Sequence, residues 1–185
     1  GEYLDASGQS FRDFLAGKLP ALPGERPTLK DWEDHLTTAF PEVRLKRYLE
    51  MRGADGGPWG RLCALPALWA GLLYHQPSLD AAWDMARDWS LEERIRLRAE
   101  VPRLGLRATV RGRSVRDMAG ELIELASAGL TARARLNAAG DNETGFLAPL
   151  QEVAETGVTP AERKLALYHG AWGGSIDPVF TECAY

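Results

Sequence analysis

Cysteine is scarce in this chain. Cys63 and Cys183 are the only two among 185 residues, too few for a disulfide scaffold or a zinc site. Positive charge is not in excess either: 22 Lys and Arg stand against 26 Asp and Glu, a net charge of -4. That balance argues against a general nucleic-acid binder. No apolar run can span a bilayer; the longest, Leu62–Tyr74, is too short and is interrupted by Pro66. The opening GEYLDASGQS has neither the basic start nor the apolar stretch of a signal peptide. No initiator Met opens the chain, so the expectation is a piece of something longer. There is no GxxxxGK[ST] loop, no GxGxxG after a strand, no HExxH and no GxSxG. A reducing cytoplasm is the expected compartment, with no nucleic acid and no membrane as partner.

What remains is ordinary for a globular protein, with 45% apolar and 26% charged residues. The length suits one domain with a real core, and two would be cramped. Residues 1–185 are therefore read as a single unit, with a turn-rich part, a helix and a strand up to residue 60 and a helical part over 61–185.

Local signals place the elements. Ser10 caps a short helix to Lys18 carrying Phe11, Phe14 and Leu15 on one side, and Pro20, Pro23, Gly24 and Pro27 then mark an irregular wrap. Thr28 with Asp31 approximates a capping box for a helix whose apolar stripe is Leu29, Trp32, Leu36 and Phe40, closed by Pro41. Arg61–His75 is apolar almost all round and reads as a buried helix. Ser78–Asp88 follows, with Leu79, Ala82, Trp83 and Ala86 inward; Ser90 and Glu93 form a capping box for a helix to about Val101. Ser114 opens a long amphipathic helix that Gly129 is expected to end or bend, before a continuation near 133–138. Glu143–Glu155 and Thr159–Tyr168 complete the set, the last with Pro160 at its first position.

One strand stands out. In VRLKRYLEMR, residues 43–52, Val43, Leu45, Leu49 and Met51 alternate with Arg44, Lys46, Tyr48, Glu50 and Arg52; only Arg47 breaks the apolar set. Alternation along a strand points Glu50 and Arg52 the same way, ~7 Å apart. A turn with Gly53, Gly56 and Gly57 follows, where backbone can approach an anion closely. This polar face has two readings. It is the solvated face of an edge strand, or it serves nucleotide chemistry, with the carboxylate on Mg²⁺ and the arginine on a transferred phosphoryl group. A lone strand also cannot satisfy its own backbone, so its partners are either Tyr3–Ala6 or Arg107–Val110, or they lie outside this chain.

Other polar residues carry less. His35 is read as a surface or capping residue, and His75 and His169 as caps at helix C-termini, where a cationic ring suits the dipole. Cys63 falls in an apolar helix, where thiols are usually inert packing. Trp32, Trp69 and Trp83 read as core, while Trp59 is placed to line a pocket.

The stretches DWEDHLTTAFPEVRLKRYLEMRGADGGPW, RLCALPALWAGLLY, FRDFLAGKLPALPG and the closing DPVF resemble the C-terminal part of plant-type glutamate–cysteine ligases, including their proteobacterial relatives. The resemblance runs over nearly the whole chain and is densest over 10–75. It implies an α+β fold: a mostly helical piece whose one or few antiparallel strands belong to the large curved sheet of glutamine-synthetase-like carboxylate–amine ligases. It implies an enzyme in which ATP phosphorylates the γ-carboxylate of glutamate and the cysteine amine displaces phosphate, the first step of glutathione biosynthesis. ATP and Mg²⁺ would be the cofactors, and glutamate, cysteine and ATP the substrates, met mostly by residues before residue 1; alone, this chain would be inactive.

Enzymes of the wider superfamily carry an E-x-R element on a strand, in which Glu binds metal and Arg contacts the γ-phosphate. Here it reads Glu50–Met51–Arg52. By resemblance Glu50 is the metal ligand and Arg52 the catalytic, phosphate-binding residue. Lys46 and Arg44 share the face as further anion contacts, and Asp55, Trp59 and Arg47 enter on proximity alone. The rival readings are a related ligase with another amine substrate and a helical accessory domain without chemistry. The plant regulatory cysteine pair falls on Ala6 and Ala21, so that redox lock cannot form, which suits a bacterial relative. Cys63 matches a cysteine of a second plant disulfide, finds no evident partner here, and is expected free.

Overall fold

Side-chain caps decide where most helices begin. In the computed structural model, which describes residues 3–184, the chain divides into two compact units, with the boundary after Ala54. Both are built of helices and each carries one small antiparallel sheet, an α+β arrangement.

In the first unit, Ser10 Oγ accepts the Arg12 N–H and starts α1 (Phe11–Leu15). Thr28 and Asp31 exchange both bonds of a capping box and start α2 (Leu29–Leu36). The two helices meet through rings: Phe11 stacks on His35 at 4.1 Å and lies 5.6 Å from Trp32. His35 is exposed, as its surface reading expects, and it stacks on Phe11 rather than capping a helix. Gln9 ties the neighbouring segments, its N–H donating to Ala6 O and its Oε1 accepting the Ala21 N–H, each at 3.0 Å. Leu19 is the one buried residue among those described here. The stripe Leu29, Trp32, Leu36 and Phe40, expected to face a core, is exposed. The helix also stops at Leu36, short of Pro41, where the Thr37 and Thr38 hydroxyls donate to Asp34 O and His35 O.

The segment 43–52 is a hairpin and not one strand. β1 (Val43–Leu45) pairs antiparallel with β2 (Leu49–Met51), with Arg44 opposite Glu50 and Leu45 opposite Leu49. Lys46–Tyr48 makes the turn, closed by Lys46 N–H donating to Tyr48 O at 2.9 Å. Each half pairs the inner edge of the other, so the unpaired-strand problem is met locally along that edge alone. Of the suggested partners, Tyr3–Ala6 forms no strand. Arg107–Val110 contributes only β3 (Thr109–Val110), which pairs with β4 (Arg113–Ser114).

The second unit holds the core. Its helices are α3 (Trp59–Leu73), α4 (Gln76–Ala86), α5 (Leu91–Leu104), α6 (Val115–Arg133), α7 (Ala148–Thr156), α8 (Pro160–His169) and α9 (Val179–Glu182), with a 3-10 turn Glu143–Leu147 leading into α7. Ala67 and Leu72 of α3 pack on Ile123, Ala126 and Leu130 of α6 and on Leu147. Gly129 does not end α6. It lies where α6 crosses α3, and a Cβ there would stand 1.9 Å from Gly71 O. The helix runs on to Arg133, is capped by Ala134 in the left-handed region (φ 50°), and does not resume over 133–138.

Two further expectations are corrected. Trp83 is 61% exposed; Trp172, at 8%, is the buried tryptophan, its Nε1 donating to Glu182. His75 does not cap α3, which ends at Leu73, but stands at the N-cap of α4. Its Nδ1 lies 2.8 Å from Ser78 Oγ, and that buried hydroxyl donates to Leu125 O at 2.7 Å. A hydroxyl has one proton, so Nδ1 carries the other and donates.

Candidate functional site

The hairpin register creates a charged face that a single strand would not. Arg44 on β1 and Glu50 on β2 are direct cross-strand partners, and Arg44 Nε donates to Glu50 Oε2 at 2.7 Å. One step along, Arg52 N–H donates to Glu42 O at 2.8 Å, extending the pairing by one rung. Glu42, Arg44, Glu50 and Arg52 therefore form a checkerboard of alternating charge on one face. Glu42 was not among the expected residues. It precedes the apolar alternation, and only the register reveals it. A Cβ at Gly53 would stand 2.7 Å from Glu42 Oε2, a carboxylate end that can swing aside.

The electrostatics follow from the pairing. The hydrogen bond from Arg44 is the main reason the Glu50 carboxyl is held below its ordinary range, with Arg52 and Lys46 adding positive charge nearby. Glu50 is thus a carboxylate at neutral pH. Arg44 engages Oε2, which leaves Oε1 with no hydrogen bond to a described residue. Arg52 lies with its guanidinium over the Phe40 ring, 5.4 Å from the centroid. Its Nη1 is buried and has no hydrogen-bond partner among the described residues. A buried, unspent guanidinium N–H is costly unless something accepts it.

The expected residues thus come together within the first unit: Glu50, Arg52, Arg44 and, through its charge, Lys46. Arg47 is in the hairpin turn. Asp55 and Trp59 belong to the second unit, where Trp59 opens α3 and is 77% exposed.

Among the described residues, no group of three or more His, Cys, Asp or Glu could hold a metal ion. Magnesium, however, is commonly bound by one or two carboxylates together with substrate phosphates and water. One carboxylate oriented by an arginine, beside an arginine with an unspent donor, fits one metal ligand and one anion contact. It does not fit a complete site.

Comparison with known proteins gives the frame. The family model described as glutamate–cysteine ligase family 2 matches residues 4–182. The chain is 58% identical over 184 residues to the chloroplastic glutamate–cysteine ligase of Solanum lycopersicum, covering all of this chain and 34% of that protein. The corresponding protein of Medicago truncatula is 59% identical, with 35% of it covered, and that of Arabidopsis thaliana 56%, with 34% covered. The chain therefore spans about a third of the length of these relatives. Their names correct one expectation: all three are called chloroplastic, so the cytoplasmic placement does not stand. Cys63, expected to be free, makes no disulfide, and neither does Cys183. Matched over nearly its whole length, the chain belongs to glutamate–cysteine ligase family 2.

Proposed function

We propose that this chain forms part of an ATP-dependent ligase that joins the γ-carboxylate of glutamate to the amine of cysteine through a γ-glutamyl phosphate, the first step of glutathione biosynthesis. The observation that carries this reading is the family match over residues 4–182. The charged hairpin face supports it.

ATP and Mg²⁺, when bound, supply the transferable phosphoryl group and the charge that offsets it. The residues of this chain then have separate tasks. Glu50 offers Oε1 as a metal ligand while Arg44 fixes the carboxylate through Oε2. Arg52 is the catalytic arginine: its buried Nη1–H donates to a phosphoryl oxygen and stabilises the charge that develops there. Lys46 and Arg44 add positive charge on the same hairpin and contact further phosphate oxygens. The outer edges of β1 and β2 have no strand partner among the described residues, which supports reading the hairpin as two strands of a larger antiparallel ligase sheet. Glutamate, cysteine and ATP are the substrates on this reading.

The test is substitution in the ligase that contains this chain. Glu50→Gln and Arg52→Ala should each lower the rate of γ-glutamylcysteine formation by about 100- to 1,000-fold, the scale for losing one transition-state charge contact. Near-normal turnover in either variant removes that residue from the site. Assaying other amino acids against glutamate and ATP checks that cysteine is the amine.

A further inference from the structure

A second concentration of positive charge lies in the other unit. Pro58 and Arg61 at the start of α3, Pro160, Arg163 and Lys164 in the first turns of α8, and Glu182–Ala184 at the end of α9 line an open cavity of about 280 Å³. Three of its lining residues are cations and one, Glu182, is a carboxylate, in a chain whose net charge is -4. The positive balance is local. The carboxylate is committed, because Glu182 Oε2 accepts the Trp172 Nε1–H at 3.0 Å. Arg163 is committed as well, donating to Glu152 at 2.6 Å. Arg61 and Lys164 make no ion pair or side-chain hydrogen bond with any described residue. Two unspent cations therefore line one open cleft. The start of α3 has no side-chain cap, so its positive end adds to the same potential. Buried Gly57 leaves room for Arg61, as a Cβ on that glycine would press on Arg61 Cβ at 3.3 Å.

We propose that this cavity binds a small oxyanion of phosphate type, held by Arg61 and Lys164. The size agrees: pockets for drug-sized molecules run from about 300 to 1,000 Å³, and this one suits a smaller guest. The shared chemistry is a tetrahedral dianion, either free phosphate or the phosphoryl end of an ester. No residue of the Glu50 hairpin takes part, so this site stands or falls apart from the proposed reaction.

Cys183 on the cavity wall is a built-in reporter. In a Cys63→Ser background it is the only thiol of the chain. Its rate with a dianionic disulfide, 5,5′-dithiobis(2-nitrobenzoate), is compared with its rate with neutral 4,4′-dithiodipyridine. The ratio cancels intrinsic thiol reactivity and retains the local charge. Arg61→Gln with Lys164→Gln should lower that ratio by about tenfold, the scale of two nearby cations in water. Inorganic phosphate should slow the dianionic reagent saturably at constant ionic strength, whereas chloride should not. A ratio that moves less than threefold overturns the site, and so does phosphate that acts no differently from chloride. If the double variant loses its helical circular dichroism, the phosphate arm on Cys63→Ser protein decides alone. Adenosine monophosphate separates the sources: protection below the phosphate concentration assigns a phosphoryl ester, and protection by phosphate alone assigns the free ion.

Discussion

Glu93 and Glu162 are the two carboxylates most strongly shaped by their surroundings. Arg111 grips Glu93 with two parallel bonds, Nε to Oε1 at 2.8 Å and Nη2 to Oε2 at 2.9 Å, while the Ser90 N–H donates to the same side chain. The Arg111 bonds and then the Ser90 N–H pull the Glu93 carboxyl down to about 2 from an ordinary 4.5. The Thr159 N–H, followed by Arg107 at 2.5 Å, does the same for Glu162. Both groups have folded values below their unfolded ones, so the unfolded chain binds more protons in acid. Their stabilisation is fully present above pH 4.5 and is lost as pH falls towards about 2. Urea midpoints at pH 6, 4 and 3 should therefore fall across that window. Glu93→Gln and Glu162→Gln should each flatten the fall and lower the midpoint at pH 6. The capping halves of these clusters were legible in the sequence, since Ser90 with Glu93 and Thr159 with Pro160 are local patterns. Arg111 and Arg107 were not, because they arrive from 18 and 55 residues away.

At the scale of elements, the hairpin and the α3–α6 crossing mark where sequence reading stops. Alternation identified the extended segment 43–52, its charged residues and the Glu50–Arg52 spacing. It could not locate the reversal, because Lys46, Arg47 and Tyr48 include none of the Gly, Asn or Asp residues that announce a tight turn. The reversal turned Arg44 from a neighbour on the same face into a partner of Glu50 and added Glu42. Gly129 misled for a related reason. Glycine in a helix pattern usually reads as an end, yet here it permits close approach to a second glycine from another helix. A Cβ on Gly71 would stand 2.2 Å from Ala126 O, and one on Gly129 would stand 1.9 Å from Gly71 O, in both cases backbone that cannot swing aside. Alanine should gain about 1 kcal/mol of helix propensity at such a site. Overpacking costs about 1–3 kcal/mol and occasionally more, so the clash wins. Gly71→Ala and Gly129→Ala should each destabilise the protein by about 1–2 kcal/mol in denaturant melts, the upper part of that cost less the propensity gain. Gly120 on the same helix, with open space around its Cβ position, should accept alanine with a small gain.

For the molecule as a whole, burial is distributed unequally. The second unit has a continuous core from Ala67 to Leu147, with Ala126, Leu130 and Leu147 fully inaccessible. The first buries Leu19 alone among its described residues and leaves Leu29, Phe40, Val43, Leu45 and Leu49 at least half exposed. Regions with few buried apolar contacts open at low free energy. The unit that carries Glu50 and Arg52 is therefore expected to open more readily than the second. On the proposed reading it offers Glu50 towards a metal, no group of three or more His, Cys, Asp or Glu among the described residues could hold one, and the chain spans about a third of its relatives' length. A single carboxylate cannot hold Mg²⁺ against water unless phosphates and further ligands complete the shell. Two outcomes follow for the 185-residue chain on its own. Limited proteolysis should cut between residues 20 and 54 well before it touches α3 or α6, with amide exchange slowest around Ala126–Leu130. No γ-glutamylcysteine should form from glutamate, cysteine, ATP and Mg²⁺. Turnover at an ordinary rate would mean that the charged hairpin and the second unit suffice for the chemistry. Uniform resistance to protease would mean that the exposed apolar face of the first unit does not weaken it.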